Sequence, residues 1–177
     1  MPIIIKPSQL EESVKLGAQF RHCIHEEPEI GLYLPKTQEK IVTALKSFGI
    51  KEISTFVGGA NVTGVVAVIE GSRPGKTIGL RADSDALPLE EKTGVEWSSK
   101  VPMAMHACGH DGHMAMLLEF AHQLSTYYKE LPHNVVLIFQ PGEETPGGAE
   151  PMCKSGIFEQ YHIKRIFGFH VWPMLDN

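Results

Sequence analysis

The chain has 177 residues, 42% hydrophobic and 21% charged, with 17 glycines and 12 prolines, a balance that excludes collagen-like, coiled-coil and wholly disordered architectures. That length buries a sizeable core and supports about one domain. Sixteen Lys and Arg against twenty-one Asp and Glu leave a net charge of −5, and no basic run interleaves with aromatics, so no nucleic-acid partner is expected.

The apolar start Met1–Ile5 is broken by Lys6, Glu11 and Glu12, and nowhere do 18 uncharged apolar residues run together, so neither a signal segment nor a membrane span is expected. Leu10, Val14, Gly17, Arg21 and Ile24, spaced mostly by three or four behind Ser8, predict an amphipathic first helix that Pro28 closes. A second helix is predicted from Thr37 to Phe48, ending at Gly49. Short β-rich runs follow at 52–57, 62–70 and 76–80, separated by Gly58-Gly59 and by the turn 71–75. Then come a helix over 114–124 capped by Asp111, an apolar strand over 134–139, one short helix over 149–158 with Pro151 in its first turn, and a last strand over 165–170. Strands apolar on both sides, alternating with helices, predict an α/β fold: a mostly parallel or mixed central sheet with helices on both faces. Asp83, Glu143, Glu144 and His170 all fall at or just past strand ends, and Cys108 and His110 directly precede a helix, which is where sites assemble in open α/β sheets.

The densest chemistry lies in Met105-His106-Ala107-Cys108-Gly109-His110-Asp111-Gly112-His113. A thiol and several imidazoles here can supply soft and borderline metal ligands, with Gly109 letting the backbone bend so that Cys108 and His110 converge. The same residues could instead form a helix-capping loop with a small buried cysteine, and His106 and His113 could be no more than neighbours. Asp111 suits either an N-cap or a partner that orients a ligand. Glu143 and Glu144 repel each other, which is easier to justify if a cation holds one while the other manages protons. If Glu144 ligates, Glu143 can accept a proton from the attacking water. Asp83 and Asp85 sit two apart at a strand end, where either could orient an imidazole or pair with Arg81. Cys23 and Cys153 are expected to be packed thiols, and Trp97 and Trp172 packing or pocket wall. Three cysteines suit a reducing, cytoplasmic compartment better than a disulfide scaffold.

Five segments taken together resemble one family: Phe20-Arg21-His22 with His25, Pro28, Glu29 and Gly31; Leu80–Asp83 with Asp85–Pro88; Met105–His113; Phe139–Glu144; and Gly168–Pro173. They are similar to the amidohydrolase branch of the co-catalytic metallopeptidases, which includes aminoacylases, carboxypeptidases, hippurate hydrolases and indoleacetyl-amino-acid hydrolases. The resemblance implies a zinc-peptidase-like catalytic domain in which Cys108, His110, Glu144 and His170 bind two divalent ions, zinc or manganese, with cobalt or nickel as further candidates. It makes Glu143 the general base and Asp83 a supporting acid, in hydrolysis of the amide of an N-acyl amino acid or small peptide. Members of that family are longer, with a lid and dimerisation domain after the region matching Pro173 and a further metal-binding histidine beyond it. By this reading residues 1–177 are the N-terminal portion of an incomplete catalytic domain, and homodimerisation runs through the absent domain. Smaller departures are Gly142, where that branch usually has alanine, and Met174-Leu175. Two alternatives stay open: a non-catalytic module that keeps the fold, and a thiol hydrolase using Cys108 with His110 or His106.

Overall fold

The computed structural model describes residues 7–72 and 76–172. The apolar start, Arg73-Pro74-Gly75 of the predicted turn, and Pro173 with Met174-Leu175 lie outside the described residues. Helix α1 (Pro7–His25) and helix α2 (Pro35–Ser47) are followed by strands β1 (Glu52–Val57), β2 (Gly64–Ile69) and β3 (Thr77–Asp83). Helix α3 (His110–Tyr127), a short 3-10 turn (Tyr128–Glu130), strand β4 (Asn134–Gln140), helices α4 (Ala149–Lys154) and α5 (Ile157–Gln160) and strand β5 (Ile163–Gly168) complete the order. No described helix is long and apolar enough to cross a membrane.

The strands form one mixed sheet in the order β1-β2-β4-β3-β5. β1 and β2, and β2 and β4, pair antiparallel, whereas β3 runs parallel to both β4 and β5. β2 and β4 are buried along almost their whole length, and alternation sends their side chains to two cores. Val65, Ala67, Ile69, Val135, Leu137 and Phe139 pack with Ile24, Ile41, Leu45 and the apolar stripe of α3. Val66, Val68, Val136 and Ile138 pack with Met152 and Ile157 of α4 and α5 on the other face. Fully burying side chains of this size contributes about 1.5–3 kcal/mol each, so the central pair of strands is what anchors the sheet.

Three local expectations need correction. The single helix over 149–158 is two, because Gly156 at φ +82° turns the chain between α4 and α5. The last strand ends at Gly168, so His170 lies beyond the regular ladder. β5 is also not covered on both faces among the described residues: Ile166 and Phe167 are about half exposed, and Phe169 just past its end more so. Unlike β4, it carries Lys164 and Arg165 side by side, and among the described strands it pairs only with β3, at the sheet edge. One capping device was not legible in sequence: α2 has no side-chain cap of its own, and the Glu29 carboxylate accepts the N–H of Thr37 at 2.7 Å instead.

Candidate metal centre

Three parallel strands deliver their C-terminal ends to one rim. Asp83 closes β3, opposite Gln140 at the end of β4, and Arg81 stands opposite Gly168 at the end of β5. Past those ends come Asp85, the pair Glu143 and Glu144, and His170. The first residue of α3, His110, enters the same space. Cys108 reaches it because Gly109 takes φ +88°; a Cβ there would lie 2.6 Å from Val171 Cγ2.

Hydrogen bonds fix which nitrogen each imidazole presents. His110 Nδ1 lies 2.8 Å from the Asp85 carbonyl, which only accepts, so Nδ1 carries the proton and Nε2 keeps a lone pair. That Nε2 is buried with no hydrogen-bond partner. It lies 3.7 Å from Asp83 Oδ2 and 3.9 Å from both Glu143 Oε2 and Glu144 Oε1. By the same logic His170 donates Nδ1–H to the Val171 carbonyl at 2.6 Å and turns Nε2 toward Cys108 Sγ, 3.4 Å away. A backbone partner on one nitrogen and a lone pair on the other is the arrangement a ligating histidine takes. Candidate ligand atoms of Cys108, His110 and Glu144 all lie within 4.8 Å of one another, as do those of Asp83, His110, His113 and His170.

The electrostatics point the same way. Burial disfavours a charged His110, yet its hydrogen bond to Asp85 and the charges of Asp83 and Asp85 raise its pKa above the ordinary value. The field that would hold a proton there would equally hold a cation. Burial, then the hydrogen bond and charge of Glu144, push the Cys108 thiol up to about 11, so it is not a free thiolate at neutral pH. An orphaned buried nitrogen, a thiol and adjoining carboxylates form a mixed N/S/O set that fits a divalent transition metal.

The two acids of the β3 rim do different work. Asp83 is ion-paired to Arg81 Nη1 at 2.7 Å and accepts from His113 Nδ1 at 2.6 Å. Burial opposes its ionisation, but His113, His110 and Arg81 together hold its carboxyl below the usual range. The Asp85 side chain instead accepts the backbone N–H of Glu143 and Glu144, at 2.8 and 3.1 Å, and so fixes the acidic turn. His113 looks like a fourth donor by position, but both its nitrogens are already engaged.

A second cluster lies on the far side of α3. Asp111 is not the predicted cap; it sits inside the first turn, and its carboxylate faces α1, 3.0 Å from Arg21 Nε and 2.8 Å from His25 Nδ1. The other nitrogen of His25 meets Glu91 at 3.2 Å. His106 is buried beside them and forced neutral, its pKa lowered to about 4 chiefly by burial. A cleft of about 750 Å³ lined by Arg21, His25, Trp97, His106, Cys108 and Trp172 adjoins the centre, so both tryptophans serve as wall. Cys23 and Cys153 are exposed rather than packed.

Known proteins resemble this chain in sequence and in fold. Thermostable carboxypeptidase 1 of Saccharolobus solfataricus is 44% identical over 155 residues, 86% of this chain and 38% of that protein. An uncharacterized hydrolase of Staphylococcus epidermidis is 43% identical over 155 residues, 86% of this chain and 39% of its own. Among solved structures, the YXEP protein of Bacillus subtilis, a dinuclear metal-binding peptidase of the M20 family, matches with a TM-score of 0.86 at 37% identity, over 93% of this chain and 45% of that one. The chain thus spans about two fifths of the length of the curated relatives it matches. The sequence pattern of peptidase family M20/M25/M40 matches residues 79–177, more than half of the chain and every residue gathered at the rim, and the chain belongs to that family.

Proposed function

We propose that this chain carries the metal centre of a hydrolase that cleaves the amide bond of N-acyl amino acids or small peptides. The observation that carries the reading is the buried His110 Nε2, a lone pair without a partner among Asp83, Glu143 and Glu144. Cys108, His110, Glu144 and His170 would hold two divalent ions, zinc or manganese. When bound, such ions polarise a carbonyl and make water a better nucleophile near neutral pH. Glu143 then serves as general base: its backbone is anchored on Asp85 while its side chain stays 41% exposed, within reach of solvent. It takes a proton from the attacking water and returns it to the departing amine as the C–N bond breaks. Asp83 supports the centre by holding negative charge beside His110.

We read residues 1–177 as the N-terminal portion of such a catalytic domain. The remaining length of the relatives would carry the lid, the dimerisation surface and a further ligand. The described cysteines are all free thiols, which supports a reducing, cytoplasmic setting. With its thiol pushed up to about 11, Cys108 is a poor nucleophile unaided, whereas a bound divalent ion would displace the thiol proton.

The test pairs metal content by plasma mass spectrometry with hydrolysis of N-acetyl and N-benzoyl amino acids under added zinc or manganese. Glu143→Gln is expected to keep the metal and lower turnover by about 10²–10⁴-fold. Turnover that survives chelator and is blocked by alkylating Cys108 would overturn the reading.

A further inference from the structure

His170 and Val171 stand beyond the last strand, about half exposed or more, and the His170 ring lies 4.6 Å from that of His113. Beside that ring contact, a continuous set of hydrogen bonds reaches the same residue. Gln140 Oε1 accepts from Arg81 Nε and Nη2 at 3.0 and 2.8 Å, and Arg81 Nη1 donates to Asp83 Oδ2. Asp83 Oδ1 meets His113 Nδ1, and His113 Nε2 accepts the N–H of Val171 at 2.9 Å. The carbonyl of that same Val171 accepts Nδ1–H of His170. The donor is decisive at His113. A backbone N–H can only donate, so Nε2 holds the lone pair, and the proton sits on Nδ1 facing Asp83.

We propose that His113 is a positioning residue: locked as the Nδ1–H tautomer between Asp83 and Val171, it clamps the Val171 peptide and thereby aims His170 Nε2 at the metal centre. The inference rests on His170 being a ligand, as proposed above. It differs from a direct ligand role for His113, which would cost the Val171 bond, and from a merely buried, satisfied histidine, which would not act through His170. Partners of this kind are worth about 10–100-fold in metal affinity.

Two measurements on the full 177-residue chain test it. Long-range ¹H–¹⁵N correlation of the imidazoles in metal-free protein at neutral pH should show His113 protonated on Nδ1 alone. Zinc titration of His113→Ala, with circular dichroism and a thermal melt as folding controls, should show affinity about 10–100-fold weaker than wild type. That loss should vanish when His113→Ala is made in a His170→Ala background, because the clamp then has nothing to aim. A proton on Nε2, or losses that add independently, would overturn the role given to His113 while leaving the metal centre standing. Failure of the wild-type chain to take up zinc would overturn the centre itself, and the clamp with it. Should His113→Ala not fold, His113→Phe, which keeps a ring beside His170 but neither nitrogen, takes its place in the same pair of titrations.

Discussion

Two clusters of histidine and carboxylate grow from the same nine residues, and they differ in what they leave over. Around Asp111 the charges close on one another, Arg21 and His25 on Oδ2 and Glu91 on the second nitrogen of His25, although Asp111 Oδ1 and both nitrogens of His106 stay buried without a hydrogen-bond partner. Around His110 they do not, because Nδ1 is committed to a carbonyl while Nε2 faces three carboxylates at 3.7–3.9 Å with none in hydrogen-bond contact. Both clusters are rich in His and acid, and both are buried at their centres. The first is organised to pin α1 to α3, and the second to receive something.

The contrast can be broken most severely on the closed side. Asp111→Ala would strip a fully buried carboxylate from Arg21 and His25, and should cost about 3–5 kcal/mol in urea unfolding. The open side should be far cheaper to lose. His110→Asn keeps a donor near the Nδ1 position for the Asp85 carbonyl and deletes only the Nε2 lone pair, so stability should shift by about 1 kcal/mol. An equal loss in both variants would mean the two clusters serve the same structural end.

A smaller effect comes from pH. Hydrogen bonding to Asp111, against the opposing cost of burial, raises His25 above its ordinary 6.5, while Asp111 and Glu91 are held below 3.8 and 4.5 by their partners despite burial. The histidine's contribution is full below pH 6.5 and fades as pH rises through its higher folded value. The carboxylates' contribution is full above pH 4.5 and fades as pH falls through their lower folded values. His106 works against them below pH 6.5, because it is held neutral in the fold with a value of about 4 and its burial costs more as pH falls, so stability owed to this cluster should peak near pH 6.5. Unfolding midpoints should fall from pH 6.5 to 8 more in wild type than in Asp111→Ala.

Much of this arrangement was legible before the fold. Periodicity placed both long helices and the buried strands, and strand ends marked Asp83, Glu143 and Glu144 because parallel strands bring their C-termini to one rim. Asp111 misled because a short acid before an apolar run looks like a cap; its true partners lie 86 and 90 residues away, and only packing of α1 on α3 brings them near. His113 misled for the opposite reason. Its spacing from His110 suggests a mere neighbour, and nothing local announces that Val171 will present an N–H to it. β5 shows the limit of reading a strand from its apolar end: Ile166 and Phe167 suggest a covered strand, but Lys164 and Arg165 interrupt it and burial depends on what lies beside it.

The most direct test is a zinc titration, followed calorimetrically, of the wild-type chain beside His110→Asn. Uptake should approach two ions per wild-type chain and fall to none at the centre in a folded His110→Asn. Undiminished uptake by the variant would mean that the lone pair on which the centre is built is not needed.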